Sequence, residues 1–168
     1  MKTDAIFSKD KLYRYYLYRY WGSTDIFDGQ STKTVNFVML NPSTADEVEN
    51  DPTVERCQRR AIQMGYNCLV VTNIFAFRST DPKGLLEIAD PVGPKNDYYL
   101  KYAANNADLI VCAWGTNGNL YGRGEEVARN ILNGHKLTAL KLSKDGIPCH
   151  PLYLPYSLLP EKYEPLYS

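Results

Sequence analysis

Three polar side chains that could form a functional site, Asn41, Asn73 and His150, lie at or beyond the ends of apolar stretches of the chain. Asn41 follows the apolar run 35–40 and precedes Pro42, which restricts its own φ and favours an extended conformation for Asn41. The carboxamide is thereby held at a strand end, where open α/β sheets bind their ligands. A carboxamide can donate and accept hydrogen bonds, and an imidazole can exchange protons. The pattern predicts a polar site at a sheet edge, unless Asn-Pro-Ser-Thr is only a turn that ends the strand.

Asn73 lies towards the end of a second apolar run, 68–77, and Arg78 begins the loop beyond it. If a helix joins the two strands by the usual right-handed crossover, Asn41 and Asn73 emerge at the same sheet edge. Two carboxamides would then converge there. Either one could instead satisfy backbone groups of its own loop.

A glycine-rich loop, 115–124, follows a third apolar strand and contains Arg123. Such a loop between a strand and a helix can present backbone N–H groups to an anion. The glycine spacing matches neither the dinucleotide-binding fingerprint nor the P-loop. Anion binding and a simple flexible turn therefore both stay open for this loop.

His150 lies in the loop after a fourth strand, 136–142, between Pro148 and Pro151. Proline restricts both itself and the residue before it, so the imidazole is held in a stiff loop. The other histidine, His135, follows Asn-Gly and is interpreted as turn surface. His150 is the candidate general acid, base or hydrogen-bond donor, and a purely structural role is the alternative.

The elements that must position these residues alternate between strand and helix. Asp51 and Pro52 have the form of a helix start, and Gly65 is the corresponding stop. Two further helices are predicted over 94–107 and after the glycine-rich loop. The first helix also carries three arginines, either as a solvated face or as a phosphate-contacting patch: Arg56, Arg59 and Arg60.

The N-terminal segment 11–21 is dense in tyrosine, with Arg14 and Arg19 between the rings. Aromatic residues favour strands, and the polar stretch from Gly22 predicts a loop before the strand at Val35, so the two strands are expected to form a long antiparallel hairpin. Interleaved Tyr and Arg can also stack nucleobases. The alternative is a strand that covers one edge of the core.

Length and charge limit the possible classes of protein. The 168 residues, 44% of them hydrophobic, predict a single domain, 1–168, with residues 1–34 as a hairpin extension packed on the core. Lys plus Arg equals Asp plus Glu at 19 each, so any contact with a polyanion must be local. The four cysteines lack metal-ligand spacing and predict buried thiols in a cytoplasmic protein without metal or other cofactor. No apolar stretch is long enough for a membrane helix, so no membrane partner is expected.

The motifs resemble a family of uncharacterised bacterial and phage proteins, a domain of unknown function. The resemblance spans nearly the whole chain and rests on the segments 39–46, 51–53, 73–82, 113–115 and 146–153. More distantly, the order of Asn-Pro, Asn, Gly and His-Pro loops is similar to the uracil-DNA glycosylase superfamily. That resemblance implies that Asn41 orients the attacking water, Asn73 reads the base edge and His150 stabilises the departing base. Met39 and Ser43 replace the glycines that flank Asn-Pro in that superfamily, and Leu152 replaces a serine.

The resulting expectation is an α/β three-layer sandwich, uracil-DNA-glycosylase-like, with a mostly parallel central sheet of about four strands and an N-terminal antiparallel hairpin. The expected function is recognition of a nucleobase, as a small molecule or in single-stranded or flipped nucleic acid, with hydrolysis of the N-glycosidic bond. Two alternatives are a non-catalytic nucleotide-binding or regulatory module and a metal-dependent hydrolase that uses Asp46, Asp81 and His150. Asn41 and His150 are the expected catalytic residues. The expected substrate-binding residues are Pro42, Ser43, Asn73, Arg78, Gly115 and Arg123.

Overall fold

The computed structural model describes residues 1–23, 29 and 31–165, so the loop predicted before Val35 falls partly outside the described residues. Within them, seven strands form one sheet. The strands are β1 (Lys2–Phe7), β2 (Arg14–Tyr20), β3 (Thr34–Met39), β4 (Cys68–Asn73), β5 (Leu109–Cys112), β6 (Leu137–Ala139) and β7 (Glu161–Tyr163). Their spatial order is β1-β2-β4-β3-β5-β6-β7.

The helices are α1 (Pro52–Gln63), α2 (Asn96–Asn105) and α3 (Arg123–Glu126), and α3 continues into a π-helical turn, Val127–Ile131. Two 3₁₀ turns, Pro82–Leu86 and Thr116–Gly122, lie in loops. The predicted start of α1 is confirmed, because the Asp51 carboxylate accepts a hydrogen bond from the Val54 N–H at 2.8 Å.

Four strands at the centre of the sheet run parallel. β3 pairs with β4 on one side and with β5 on the other, and β5 pairs with β6. Since parallel strands end at the same edge, the loops that follow all four leave the sheet on one side. The sequence-predicted polar residues lie in or beside these loops.

Helices cover both faces of the sheet. On one face α1 packs on β3 and β4 through a buried apolar cluster that includes Val54, Cys57, Ala61, Phe37 and Leu69. On the other face α2 and the α3 region pack through a second cluster that includes Leu100, Val127, Val38, Ile110 and Cys112. Burial of both faces explains why these strands are almost continuously apolar in sequence. The α/β class is confirmed.

The sheet differs from the prediction in size and direction. It is a mixed sheet of seven strands across the described residues, where the sequence predicts about four mostly parallel strands. β2 does not form a hairpin with β3; it pairs antiparallel with β1 and with β4. A tyrosine-rich strand fits any antiparallel neighbour, so local sequence leaves the partner undetermined.

The tyrosines of β2 pack on α2. Tyr15 stacks on Tyr99 with ring centroids 5.4 Å apart, and Tyr16 lies 5.9 Å from Tyr102. The rings therefore attach the hairpin formed by β1 and β2 to α2. This agrees with the alternative interpretation of the aromatic segment, in which it covers part of the core. The arginines between them are buried and belong to the candidate site described below.

Two expectations from composition can be compared with the structure. All four cysteines are free thiols, and three of them are buried as predicted: Cys57, Cys68 and Cys112. Burial raises the pKa of the Cys57 thiol to about 12, so this group stays protonated near neutral pH. No helix in the described part of the chain has the length and apolar character needed to cross a bilayer.

Candidate functional site

The candidate site lies where the order of the parallel strands reverses. From β3 the chain passes to β4 on one side and later to β5 on the other, so the loops after β3 and β5 diverge. Val38 is in register with Cys112, which places Asn41 and Gly115 each three residues beyond a paired position on adjacent strands. A crevice outside this point is the usual ligand site of open α/β sheets.

Asn41 joins two loops of the site. Its Nδ2 group donates to the Ser79 carbonyl at 2.8 Å and to the Pro42 carbonyl at 3.2 Å, and the Ser79 N–H donates to the same Pro42 carbonyl at 2.9 Å. Pro42 is buried, whereas Asn41 and Ser43 are half-buried. The amide nitrogen thus has a positioning role, and Oδ1 has no partner among the described side chains and backbone groups.

His150 packs against the glycine-rich loop. The Gly115 N–H donates to the Pro148 carbonyl at 2.9 Å, and a Cβ atom at Gly115 would lie 3.4 Å from the His150 Cβ. The His150 Nδ1 accepts a hydrogen bond from the Leu152 N–H at 3.1 Å. In the neutral ring the proton must therefore reside on Nε2.

Burial lowers the pKa of His150, and the charge of Asp51 partly opposes that shift. Protonation of Nδ1 would also break the bond from the Leu152 N–H. Asp51 lies at the start of α1, where its Oδ2 accepts from the Ala45 N–H at 3.3 Å. Asp51 thereby connects the loop after Asn41, helix α1 and the surroundings of His150.

Arg14 is a buried residue of the candidate site that was not predicted from the sequence as a site residue. It is 1% exposed, and its two Nη atoms donate to the Ala45 carbonyl at 3.0 Å and to the Asn73 Oδ1 at 3.3 Å. Its Nε is buried without a hydrogen-bond partner in the described structure. Burial lowers the pKa of this guanidinium to about 10, and the nearby Asp51 carboxylate opposes the shift, so Arg14 remains charged at neutral pH.

A β-bulge explains the position of Arg14. The register between β1 and β2 shifts between Ile6 and Phe7, so Tyr15 is an extra residue on β2. Side chains in a regular strand alternate between the two faces of the sheet. Arg14 and Arg19 are an odd number of residues apart, so in a regular strand they would point to opposite faces. The bulge lets both contact the loop after β3, and bulges often redirect side chains beside functional sites.

Arg19 holds the second half of this loop. Its guanidinium donates to the carbonyls of Asp46 at 2.5 Å and Glu49 at 3.2 Å, and its Nε donates to the Asn50 Oδ1 at 3.0 Å. Asp46 itself closes the turn, accepting from the Val48 and Glu49 N–H groups. The loop 45–51 is thus bound by side chains from β2 rather than by a helix or strand of its own.

Asn73 faces inwards. It is 2% exposed, its Oδ1 accepts from Arg14, and its backbone carbonyl accepts from the Asn96 Nδ2 at 2.8 Å. Sequence reasoning placed Asn73 at the correct edge of the sheet. The structure gives its carboxamide oxygen an arginine as partner.

The two arginines expected to bind substrate, Arg78 and Arg123, take different positions. Arg78 is half-buried, donates to the Lys11 carbonyl at 3.2 Å and lies 4.7 Å from the centre of the Phe7 ring. Arg123 is 3% exposed, donates to the Ile74 carbonyl at 2.8 Å and pairs with Asp97 at 2.5 Å. Arg78 therefore packs on the N-terminal hairpin, and Arg123 joins α3 to β4 and α2.

The two aspartates considered for a metal site both accept hydrogen bonds from backbone N–H groups within turns. Asp46 closes the turn described above, and Asp81 accepts from the Lys83 N–H at 2.9 Å at the start of a 3₁₀ turn. Within the described residues, no group of three or more His, Cys, Asp or Glu side chains is placed to hold a metal ion.

An open groove of about 990 Å³ lies at the opposite edge of the parallel strands. It is lined by the turn before β6 and by β7, with Arg129, His135, Lys136 and Lys162 among its residues. None of the site residues predicted from sequence contributes to it. The groove and the candidate site are therefore separate places on the molecule.

We expect Gly115→Ala to destabilise the protein and disturb His150. Gly115 has φ +78° and ψ −179°, a region occupied essentially by glycine alone, so a side chain there costs about 1–3 kcal/mol. Urea denaturation measures the loss, and the NMR shifts of the His150 ring report the displacement. Gly134→Ala is the control, since it also has positive φ but open space around it. Unchanged His150 shifts in Gly115→Ala would contradict the proposed packing.

Comparison with known proteins identifies the family of the chain. A family model described as a protein of unknown function (DUF1643) matches residues 14–152. No curated protein and no solved structure matches the chain. The expected membership of an uncharacterised family is confirmed, and the matched segment contains Arg14, Asn41, Asp51 and His150.

Proposed function

We propose that this chain, which belongs to the DUF1643 family of proteins of unknown function, recognises a nucleobase and hydrolyses its N-glycosidic bond. The proposal rests on one observation, the bond from the Leu152 N–H to the His150 Nδ1. A neutral imidazole held in this way presents its Nε2–H as a hydrogen-bond donor. A base that leaves a sugar carries away negative charge, and a preorganised donor stabilises that charge in the transition state.

Asn41 supplies the second part of the proposed mechanism. Its Nδ2 is bound to the Ser79 and Pro42 carbonyls, which leaves Oδ1 to accept a hydrogen bond from a water molecule. A water oriented in this way attacks the sugar carbon as the base departs. The oxygen's position is defined because the carboxamide cannot rotate without breaking its bond of 2.8 Å.

The surrounding residues keep these groups in place. Arg14 and Arg19 bind the loop that follows Asn41, and Gly115 supports His150. Asn73 holds Arg14, so we assign it to positioning rather than to contact with the base. Residues with their own partners make a site rigid, and rigidity is what transition-state stabilisation requires.

The distant resemblance to the uracil-DNA glycosylase superfamily supports this proposal in one respect. All four loops that carry its motifs follow strands of the parallel centre of the sheet, so they share one edge. The Asn-Pro and His-Pro segments therefore lie in loops on one side of the sheet, and this shared placement is what supports the proposal.

A second candidate function is nucleotide binding without turnover. It is favoured by the two aspartates that follow Asn41 in the chain, because Asp46 and Asp51 both accept hydrogen bonds from backbone N–H groups of their own loop and helix. Neither is therefore placed as a free general base. A site with a neutral imidazole and an amide oxygen would then only bind the base.

Calorimetric titration with nucleosides and single-stranded DNA, followed by chromatography for released base, separates these functions. Hydrolysis predicts binding and free base; a binding module predicts binding alone. Asn41→Ala should slow base release about tenfold or more, because an unpositioned water attacks poorly. Asn130→Ala, an exposed residue at the opposite edge, is the control.

A different result is expected if Asn41 only shapes its loop. The variant would then lose about 1 kcal/mol of stability per hydrogen bond and retain the wild-type rate of base release per folded molecule. Absence of binding to every nucleoside and to DNA would reject both candidate functions.

A further inference from the structure

A second cluster of unusual side chains lies on the outer face of α1. Three guanidinium groups surround one tyrosine ring, with their central carbons 5.6, 5.5 and 4.8 Å from the centre of Tyr156 for Arg56, Arg59 and Arg60. Residues at these spacings share one side of a helix. One ring therefore faces three positive charges.

No carboxylate in the described structure forms an ion pair with these three arginines. The ion pairs found there involve Arg123 and Lys162, and none includes Arg56, Arg59 or Arg60. A tyrosine ring attracts cations, but it offers only two faces and no full negative charge. Three like charges so close together repel one another, which an anion between them would relieve.

Arg60 is the strongest indication of a missing partner. It is 2% exposed, and one Nη atom donates to the carbonyls of Leu154 at 2.8 Å and Pro155 at 3.1 Å. Its Nε and other Nη atom are buried without a hydrogen-bond partner in the described part of the chain. A buried donor without a partner is costly, and such groups mark places where an ion or ligand belongs.

The other two arginines are free to contact that ligand. Arg56 is half-buried and Arg59 is exposed, and neither guanidinium donates a hydrogen bond to another described residue. Their N–H groups, arranged in planar forks, match the oxygen atoms of a phosphate group.

We propose that Arg56, Arg59 and Arg60, arranged around Tyr156, form a phosphate-binding site. The two accessible arginines contact the phosphate oxygens, and Arg60 supplies its unpartnered donors at the base of the site. Two sources share this chemistry: a free phosphate or mononucleotide, and the backbone of a nucleic acid. The site does not depend on glycosidic chemistry at His150, although residues 150–156 connect the two places along the chain.

The test uses the full chain and the double variant Arg56→Gln with Arg59→Gln. The control, Lys83→Gln with Lys101→Gln, removes the same charge from exposed positions elsewhere. Binding is measured by titration with inorganic phosphate, a nucleoside, its monophosphate and a short single-stranded oligonucleotide. We expect the arginine variant to lose affinity for phosphate-bearing probes about tenfold or more, and the control to change less than about twofold.

The probes distinguish the two sources. Loss for phosphate and the monophosphate indicates a free ligand. Loss confined to the oligonucleotide, with the slope of log affinity against log salt reduced by about 1.4, indicates two contacts to a nucleic-acid backbone. Nucleoside binding should be unchanged in either case, so failure of this site and failure of the nucleobase site give different patterns.

Thermal melting separates ligand binding from a purely structural role. If the cluster binds phosphate, removal of two repelling charges should leave the melting temperature unchanged or higher in phosphate-free buffer, and the increase caused by phosphate should disappear. A lower melting temperature with unaltered binding would overturn the proposal. Equal losses in the arginine variant and the lysine control, or no binding of any phosphate-bearing probe to the wild-type protein, would do the same.

Discussion

Replacement of Arg19 by methionine is expected to lower the free energy of unfolding by about 3 kcal/mol. Arg19 is 1% exposed and its guanidinium binds the carbonyls of Asp46 and Glu49 and the side chain of Asn50. Methionine preserves much of the buried volume but has no donor, so residues 46–50 of the loop lose their hydrogen bonds to β2, whereas the Arg14 bond to Ala45 remains. Urea denaturation monitored by tryptophan fluorescence measures the change.

Two further variants make this experiment specific. Arg19→Lys should lie between wild type and Arg19→Met, because one ammonium group cannot reach all the acceptors of a planar guanidinium. Arg129→Met, at an exposed position, should change stability by less than about 0.5 kcal/mol. If Arg19→Met were as stable as Arg129→Met, the loop would be held by other contacts.

His150→Ala should reduce the rate of base release about a hundredfold or more while nucleoside affinity changes little. The proposed Nε2–H donor acts on charge that exists mainly in the transition state, so its loss affects the chemical step. His150→Gln should recover part of the rate, since its side-chain amide offers an N–H donor. Single-turnover assays beside titration calorimetry measure the two effects, with His135→Ala as the control histidine.

The expected pH dependence of the proposed reaction is set by the environment of His150. Burial lowers the pKa of this imidazole, so the neutral ring persists below the ordinary histidine pKa of about 6.5. In the unfolded chain the ring protonates first, so stability falls as the pH decreases below that value. The rate should likewise be flat near neutrality and fall only on further acidification. Fastest turnover at acidic pH, where the ring is charged, would contradict a neutral donor.

Local signals in the sequence were sufficient for the elements that carry the site. Asp51 and Pro52 defined the start of α1, and Gly65, with φ +85°, marks its end. Asn41 was placed at the sheet edge because it follows an apolar run directly, and His150 because it lies in the proline-flanked loop after another. These features depend on a few neighbouring residues, so periodicity and turn chemistry reveal them.

Features that depend on distant contacts were not predictable in this way. The pairing of β2 with β4 and the bulge at Tyr15 are consequences of the tertiary structure, and together they place Arg14 at the site. β7 has three residues, two of them exposed, so it lacks the apolar pattern of a strand. The buried position of Arg123 was not predictable for the same reason, because it depends on contacts with Ile74 and Asp97, which are distant in sequence.

The hydrogen bonds from Arg14 and Arg19 to the loop after Asn41 have a consequence for how the protein folds. Arg14 and Arg19 belong to β2, which precedes β4 along the chain but pairs with it, so that Leu17 lies opposite Val71. Contacts between residues so far apart form slowly, because closing the intervening chain costs entropy. The loop cannot acquire its final shape until β4 has been synthesised and has joined β2. We therefore expect the candidate site to assemble late in folding, together with a long-range strand pairing.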